Sequence, residues 1–146
     1  MNTYIDANWD GSVNDMKITI GGALFLGKFL MEWLSKKHTS ISFSIAEVEN
    51  IVVAFCCTQV IWMKHTLEYL QVKYDHPITI NYDNTSAINI SKNPVMQSKT
   101  KHIPIKYHFL RDQVAQKLVK VEYVGTKEQI AHIFTKPLPR STFENL

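Results

Sequence analysis

The sequence contains few of the residues on which small disulfide-rich or zinc-binding proteins depend. Of its 146 residues, two are cysteine, five are glycine and five are proline. The cysteines, Cys56 and Cys57, are adjacent, and neighbouring side chains on a helix point about 100° apart, so we expect no disulfide between them. Neither a CxxC pair nor the six scattered histidines supply a zinc-binding spacing. We therefore predict that both cysteines are core residues of a protein from a reducing compartment.

Long hydrophobic runs are also missing. The longest, Ile51 to Met63, includes Thr58 and Gln59 and is too short to span a bilayer. It predicts a buried helix that packs against other elements on nearly all sides. No signal peptide or phosphate-binding loop is visible. The pair Gly21-Gly22 is too weak a signal for a dinucleotide-binding fold.

Acidic residues are absent from one long segment, although the net charge of the chain is only +3. Between Asn84 and Arg111 every charged residue is basic. A second basic group, Lys36-Lys37, follows the third predicted strand. Candidate contacts to a nucleic acid are Lys36, Lys37, Lys92, Lys99, Lys101, His102, Lys106 and Arg111. A one-sided basic tract suits a polyanionic partner, and it is also typical of a solvated face; both interpretations stay open.

Hydrophobic patterning predicts the element order β-β-β-α-β-α-α-β-α. Strands are expected over residues 4–9, 17–26, 29–34, 78–82 and 119–123. Helices are expected from Ser44 to about residue 72, over 84–91 and 102–117, and from residue 125 onward. Ser44 with Glu47, and Thr126 with Gln129, have the spacing of a helix capping box. Three closely spaced strands followed by crossovers predict an α/β fold with a mixed sheet and helices on its faces.

Three acidic residues lie at the ends of predicted elements. Asp83 directly follows the strand 78–82, Asp6 follows Tyr4-Ile5 on the first strand, and Glu49 lies early in the long helix. Carboxylates are the ligands that magnesium prefers, and two-metal hydrolysis of phosphodiesters requires several of them at one point. Taken singly, each acid also suits a helix cap, a strand-end turn or a first-turn charge.

The chain resembles the ribonuclease H domain that ends the Pol polyprotein of copia-type LTR retrotransposons. An ordered set of motifs carries the resemblance over nearly the whole chain: Tyr4-Ile5-Asp6-Ala7-Asn8-Trp9, Phe25-Leu26-Gly27, Trp33-Leu34-Ser35-Lys36-Lys37, Glu47-Val48-Glu49, Asp83-Asn84-Thr85-Ser86-Ala87-Ile88, Lys92-Asn93-Pro94, Thr100-Lys101-His102-Ile103, Tyr107-His108-Phe109-Leu110-Arg111, Glu128-Gln129-Ile130-Ala131 and Ile133-Phe134-Thr135-Lys136-Pro137-Leu138.

This resemblance implies a ribonuclease H-like fold: a three-stranded antiparallel meander plus two parallel strands, with helices on both faces. It implies hydrolysis of the RNA strand of RNA–DNA hybrids with Mg2+ or Mn2+ in a two-metal site held by Asp6, Glu49 and Asp83. Residues 1–146 are expected to form a single domain, a fragment of a larger polyprotein that includes a reverse transcriptase. An intracellular location, in a cytoplasmic virus-like particle or in the nucleus, is expected, with no membrane association.

One departure from the family pattern concerns the site itself. His132 stands where the family has a fourth catalytic acid. Imidazole suits zinc or manganese better than magnesium, and the exchange removes one negative charge. We therefore expect a weakened second metal and impaired activity. The alternatives are a catalytically inactive domain that only binds nucleic acid, and an inert, solvent-facing His132 on the last helix.

Overall fold

Five strands form one mixed sheet in the computed structural model, which describes residues 1–10, 17–39, 45–85, 88–89 and 105–144. The strands are β1 (Asn2–Asp10), β2 (Lys17–Leu26), β3 (Phe29–Thr39), β4 (Ile78–Tyr82) and β5 (Val119–Tyr123). Their order across the sheet is β3-β2-β1-β4-β5. The first three strands pair antiparallel, whereas β4 pairs parallel to both β1 and β5. The predicted meander with two parallel strands is confirmed.

Strand β2 is the most deeply buried part of the meander. Its burial follows from a run of β-branched and small residues, including Ile18, Thr19 and Ile20. Glycine is required at position 21, because a Cβ there would lie 2.5 Å from the Cγ2 atom of Thr135 and 2.9 Å from the carbonyl oxygen of Ala131. The missing side chain therefore lets the C-terminal segment lie directly on the sheet.

Two helices, α1 (Ile45–Tyr69) and α2 (Ile105–Ala115), pack against each other, and α1 also contacts β1, β2 and β4. The helix α1 is not buried on nearly all sides as predicted, because Trp62 is 59% exposed. Ser44 and the side chain of Glu47, which formed the predicted capping box, lie outside the described residues. So does most of the helix predicted over 84–91, of which Thr85, Ile88 and Asn89 are helical.

Both helices end in the same backbone motif. Gln71, with φ 63°, follows α1, and Lys117, with φ 57°, follows α2. The next amide in each case bonds a carbonyl five residues back, Val72 to Leu67 at 2.8 Å and Leu118 to Gln113 at 3.0 Å. This is a Schellman ending, in which a left-handed residue satisfies carbonyls of the last turn.

The segment after β5 is not the regular helix that the sequence predicts. It consists of two 3-10 helices, Thr126–Glu128 and Ile130–Phe134, and a short helix α3 (Arg140–Phe143) after Pro139. Gly125, not Thr126, precedes the first 3-10 helix and makes no side-chain cap. The predicted capping box is therefore wrong, and Gln129 has a tertiary role that is described below.

The core lies between the sheet and α1. Cys56 and Cys57 are both buried and unpaired there, as predicted. Burial raises the pKa of Cys57 to about 12 and raises that of Cys56 well above its usual value. Within the described residues, none of the helices combines the length and the hydrophobicity that crossing a bilayer would require.

Candidate functional site

Parallel pairing of β1 and β4 brings two of the three predicted acids together. Ile5 lies opposite Tyr82 in the last register pair of these strands. Asp6 directly follows Ile5 and Asp83 directly follows Tyr82, so both carboxylates lie at the same end of the parallel pair. Asp6 is only 4% exposed, whereas Asp83 is partly exposed. This edge is where α/β proteins commonly place their ligands.

His132 lies between these two carboxylates. Its Nε2 atom is 3.3 Å from Oδ2 of Asp83 and 3.6 Å from Oδ1 of Asp6. The side chain is buried, with 4% of the residue exposed, on the 3-10 helix Ile130–Phe134. The alternative of a solvent-facing His132 on the last helix is therefore wrong, because the residue is buried on a short 3-10 helix and its imidazole faces the acids.

Two side chains of the same segment hold this arrangement in place. The hydroxyl of Thr135 donates a short hydrogen bond to Oδ2 of Asp6. Gln129, which is fully buried, donates from Nε2 to the carbonyl oxygen of Ile5 at 2.8 Å and accepts from the amide of Ala131 at 3.3 Å. Gln129 therefore forms hydrogen bonds with the residue before Asp6 on β1 and with the residue before His132 on the 3-10 helix. Sequence reasoning did not identify either role.

Glu49 faces the same region from α1. It lines a polar cleft of about 410 Å³ together with Asp6, Asp83 and Tyr82. Burial raises the pKa of Glu49, and the negative charges of Asp83 and Asp6 raise it further. The three predicted acids therefore share one cleft, where their negative charges repel one another.

Two further residues of the cleft were not predicted. Tyr82 is 1% exposed, and its hydroxyl has no hydrogen-bond partner among the described residues. Burial, with the charges of Glu49, Asp83 and Asp6, raises the pKa of Tyr82, so its hydroxyl stays protonated. Lys136 also lines the cleft. The resemblance placed Lys136 within a motif but gave no role to the residue.

The predicted nucleic-acid contacts are only partly described. Lys36 and Lys37 are exposed on β3, and Arg111 is half-buried on α2. Lys92, Lys99, Lys101 and His102 lie outside the described residues, as does the side chain of Lys106. The proposed basic surface therefore remains a prediction.

The donor set fits a divalent metal ion. One ligand atom from each of Asp6, Asp83 and His132 lies within 4.8 Å of the others. Glu49 adds a third carboxylate in the same cleft. Two or three carboxylate oxygens with one imidazole nitrogen suit manganese well and magnesium less well, because imidazole is the softer ligand.

Plant transposon proteins match the chain over almost its whole length. It is 37% identical to the retrovirus-related Pol polyproteins from transposons RE2 and RE1 of Arabidopsis thaliana, in each case over 99% of this chain. It is 31% identical over 97% of its length to the retrovirus-related Pol polyprotein from transposon TNT 1-94 of Nicotiana tabacum. In each case the chain spans only about 10% of the relative.

A solved structure with a similar fold is the ribonuclease H1 of the halophilic archaeon Halobacterium salinarum. The two share 10% sequence identity, with a TM-score of 0.50 over 99% of this chain and 98% of the archaeal one. This similarity supports the fold alone. No protein-family model matches the chain.

Proposed function

Because the chain is a homologue of one segment of the copia-type transposon Pol polyproteins and has a ribonuclease H-like fold, we propose that it is a metal-dependent endonuclease that hydrolyses the RNA strand of RNA–DNA hybrids. The proposed ligands of the ion are Asp6, Glu49 and Asp83. The observation that carries the proposal is the convergence of acids from β1, α1 and the end of β4 in one cleft. In this function the domain acts within a larger polyprotein, next to a reverse transcriptase, in an intracellular particle or in the nucleus.

A bound divalent ion would supply a Lewis acid and an activated water for attack on a phosphodiester. The residues of the chain supply position. Thr135 fixes the orientation of the Asp6 carboxylate through its hydroxyl, and Gln129 anchors the 3-10 helix next to β1. Burial of Asp6 keeps bulk water away from one side of the site.

His132 determines how active such a site is. Its imidazole stands beside Asp6 and Asp83, where the resemblance implies a fourth carboxylate. With one negative charge fewer, the ion that shares Asp6 with this position binds more weakly, so we expect slow cleavage that Mn2+ supports better than Mg2+.

Purified protein incubated with an end-labelled RNA–DNA hybrid tests this proposal. We expect RNA fragments with Mn2+, fewer with Mg2+ and none with EDTA. Asp83→Asn should abolish cleavage, which also controls for contaminating nucleases. His132→Asp should raise the Mg2+-dependent rate, and an unchanged rate would contradict the role given to this position.

A second candidate function follows from the same histidine. If the imidazole prevents the second ion from binding, the domain keeps its fold and binds nucleic acid without cutting it. Hybrid affinity would then fall steeply with salt, because each phosphate contact releases counterions. Full-length RNA after prolonged incubation, together with salt-sensitive binding, would favour this function over the nuclease.

A further inference from the structure

We infer that Lys136 is a phosphate-binding residue of the cleft, which holds the nucleic-acid strand beside the carboxylates; this inference rests on the proposed function. Lys136 is the only basic residue among the described residues that line the cleft. The other charged side chains there are Asp6, Glu49 and Asp83. A cleft with three carboxylates repels a polyanion, and the positive charge of Lys136 in its wall would attract the phosphates of that polyanion.

The backbone holds Lys136 in place. Its amide donates to the carbonyl oxygen of His132 at 3.1 Å, and the amide of Thr135 donates to the same oxygen at 3.2 Å. These bonds close the turn that follows the 3-10 helix, so Lys136 is placed by the segment that places His132. Lys136 is half-buried, which restricts the positions that its ammonium group can reach.

In the part of the chain that the structure describes, Lys136 forms no ion pair with the carboxylates of its own cleft. Among the described residues, no carboxylate oxygen lies within 4.0 Å of its ammonium group, although three acids line the same cleft. A phosphate group accepts charge-assisted hydrogen bonds from a lysine ammonium group. Asn84 and Thr85 complete a polar wall of the cleft.

The alternative role for Lys136 is electrostatic compensation of the three acids. In that role Lys136→Met should bind hybrid as well as a control variant does, whereas loss of a phosphate contact should weaken hybrid binding. We would compare Lys136→Met and Lys136→Arg with Lys28→Met as a matched control. Lys28 is an exposed lysine in the turn between β2 and β3. Because Phe25 pairs with Asn2, that turn lies beside the start of β1, and Lys28 does not line the cleft.

Affinity for a fluorescent RNA–DNA hybrid would be measured by anisotropy in Ca2+ at several salt concentrations, with hybrid integrity checked on a gel. Because Lys136→Met loses one phosphate contact, it should bind the hybrid roughly threefold more weakly or worse, and the slope of its affinity against salt should be lower by about 1. Lys136→Arg should restore most of the affinity, and Lys28→Met should behave as wild type.

Binding of Mn2+ alone, followed by calorimetry, separates a binding role from structural damage. Removing a cation beside the acids should leave Mn2+ affinity unchanged or increase it, whereas damage to the cleft would weaken both Mn2+ and hybrid binding. The inference is overturned if Lys136→Met binds hybrid as well as Lys28→Met does, or if it loses Mn2+ and hybrid together. A wild-type chain that neither binds nor cleaves hybrid would instead reject the proposed function itself.

Discussion

Exchanging His132 for aspartate tests the geometry of the site most directly. The matched control is His132→Asn, which has nearly the same shape as aspartate but carries no charge. Both variants lose the imidazole and its contacts with Asp6 and Asp83. Any difference between the two therefore reports the charge placed at this position.

The size of that difference follows from the distances. The imidazole nitrogen lies 3.3 Å and 3.6 Å from the two carboxylate oxygens, and an aspartate at position 132 is shorter. Two like charges about 5 Å apart repel by about 3 kcal/mol at an effective dielectric constant of 20. With relaxation of the side chains, we expect the metal-free aspartate variant to be about 2–4 kcal/mol less stable than the asparagine variant. For a chain of this size, that corresponds to a melting temperature lower by roughly 5–15 °C.

Divalent metal should reverse this order. An ion present at about 100 times its dissociation constant stabilises the folded state by about 2.7 kcal/mol. The aspartate variant offers an additional carboxylate, so it should bind Mn2+ more tightly and gain more than the asparagine variant. Differential scanning fluorimetry with EDTA and with Mn2+ measures both parts. Equal melting temperatures of the two variants in EDTA, with equal shifts in Mn2+, would refute the placement of His132 between the acids.

Three other substitutions test the surroundings of the site. Glu49→Gln should stabilise the metal-free protein at pH 7 but not below about pH 4.3, the ordinary glutamate pKa. The pKa of Glu49 is raised in the folded protein, so its contribution to stability is present at low pH and is lost as pH rises through that pKa. Urea unfolding at both pH values checks this. Thr135→Val should cost about 1.5–3 kcal/mol through the lost bond to the Asp6 carboxylate and weaken Mn2+ binding in calorimetry, whereas serine should restore both. Gly21→Ala should cost about 1–3 kcal/mol through overpacking, measured by chemical denaturation, whereas Gly125→Ala, where a Cβ meets nothing within 4 Å, should be nearly neutral.

The sheet was predictable because its signals are local. Strand β2 matched its predicted bounds, as did β4 and β5, since runs of β-branched residues end at glycine or polar residues. The resemblance implied that Asp6 and Asp83 share one site, and the parallel pairing of β1 with β4 explains their proximity. The convergence of carboxylates was therefore predicted from the resemblance, whereas the distances between their atoms could not be predicted.

Helix ends were predicted less well, for an identifiable reason. Left-handed residues after helices are usually glycine, which gives a sequence signal. Here the positions are occupied by Gln71 and Lys117, so the signal is absent. The predicted ends, near residues 72 and 117, consequently lie beyond the observed ends at Tyr69 and Ala115.

The C-terminal segment shows why the rest of the site could not be predicted. Its conformation depends on tertiary contacts, from Gln129 to Ile5, from Thr135 to Asp6, and at the close approach to Gly21. None of these contacts has a periodicity that a single sequence displays. A regular helix from residue 125 would have turned the side chains of successive residues through a different angle. The burial of His132 thus follows from the 3-10 geometry and from the glycine that allows the segment to lie on the sheet.

The same geometry is the reason that we propose a functional effect of His132. A surface histidine in place of an acid would change only the net charge, and salt would screen it. Under the proposed function, a buried imidazole between two carboxylates would instead either coordinate an ion or exclude one. Both outcomes would change which metal supports the proposed cleavage, and the two differ in whether Mn2+ binding survives the exchange of His132 for asparagine.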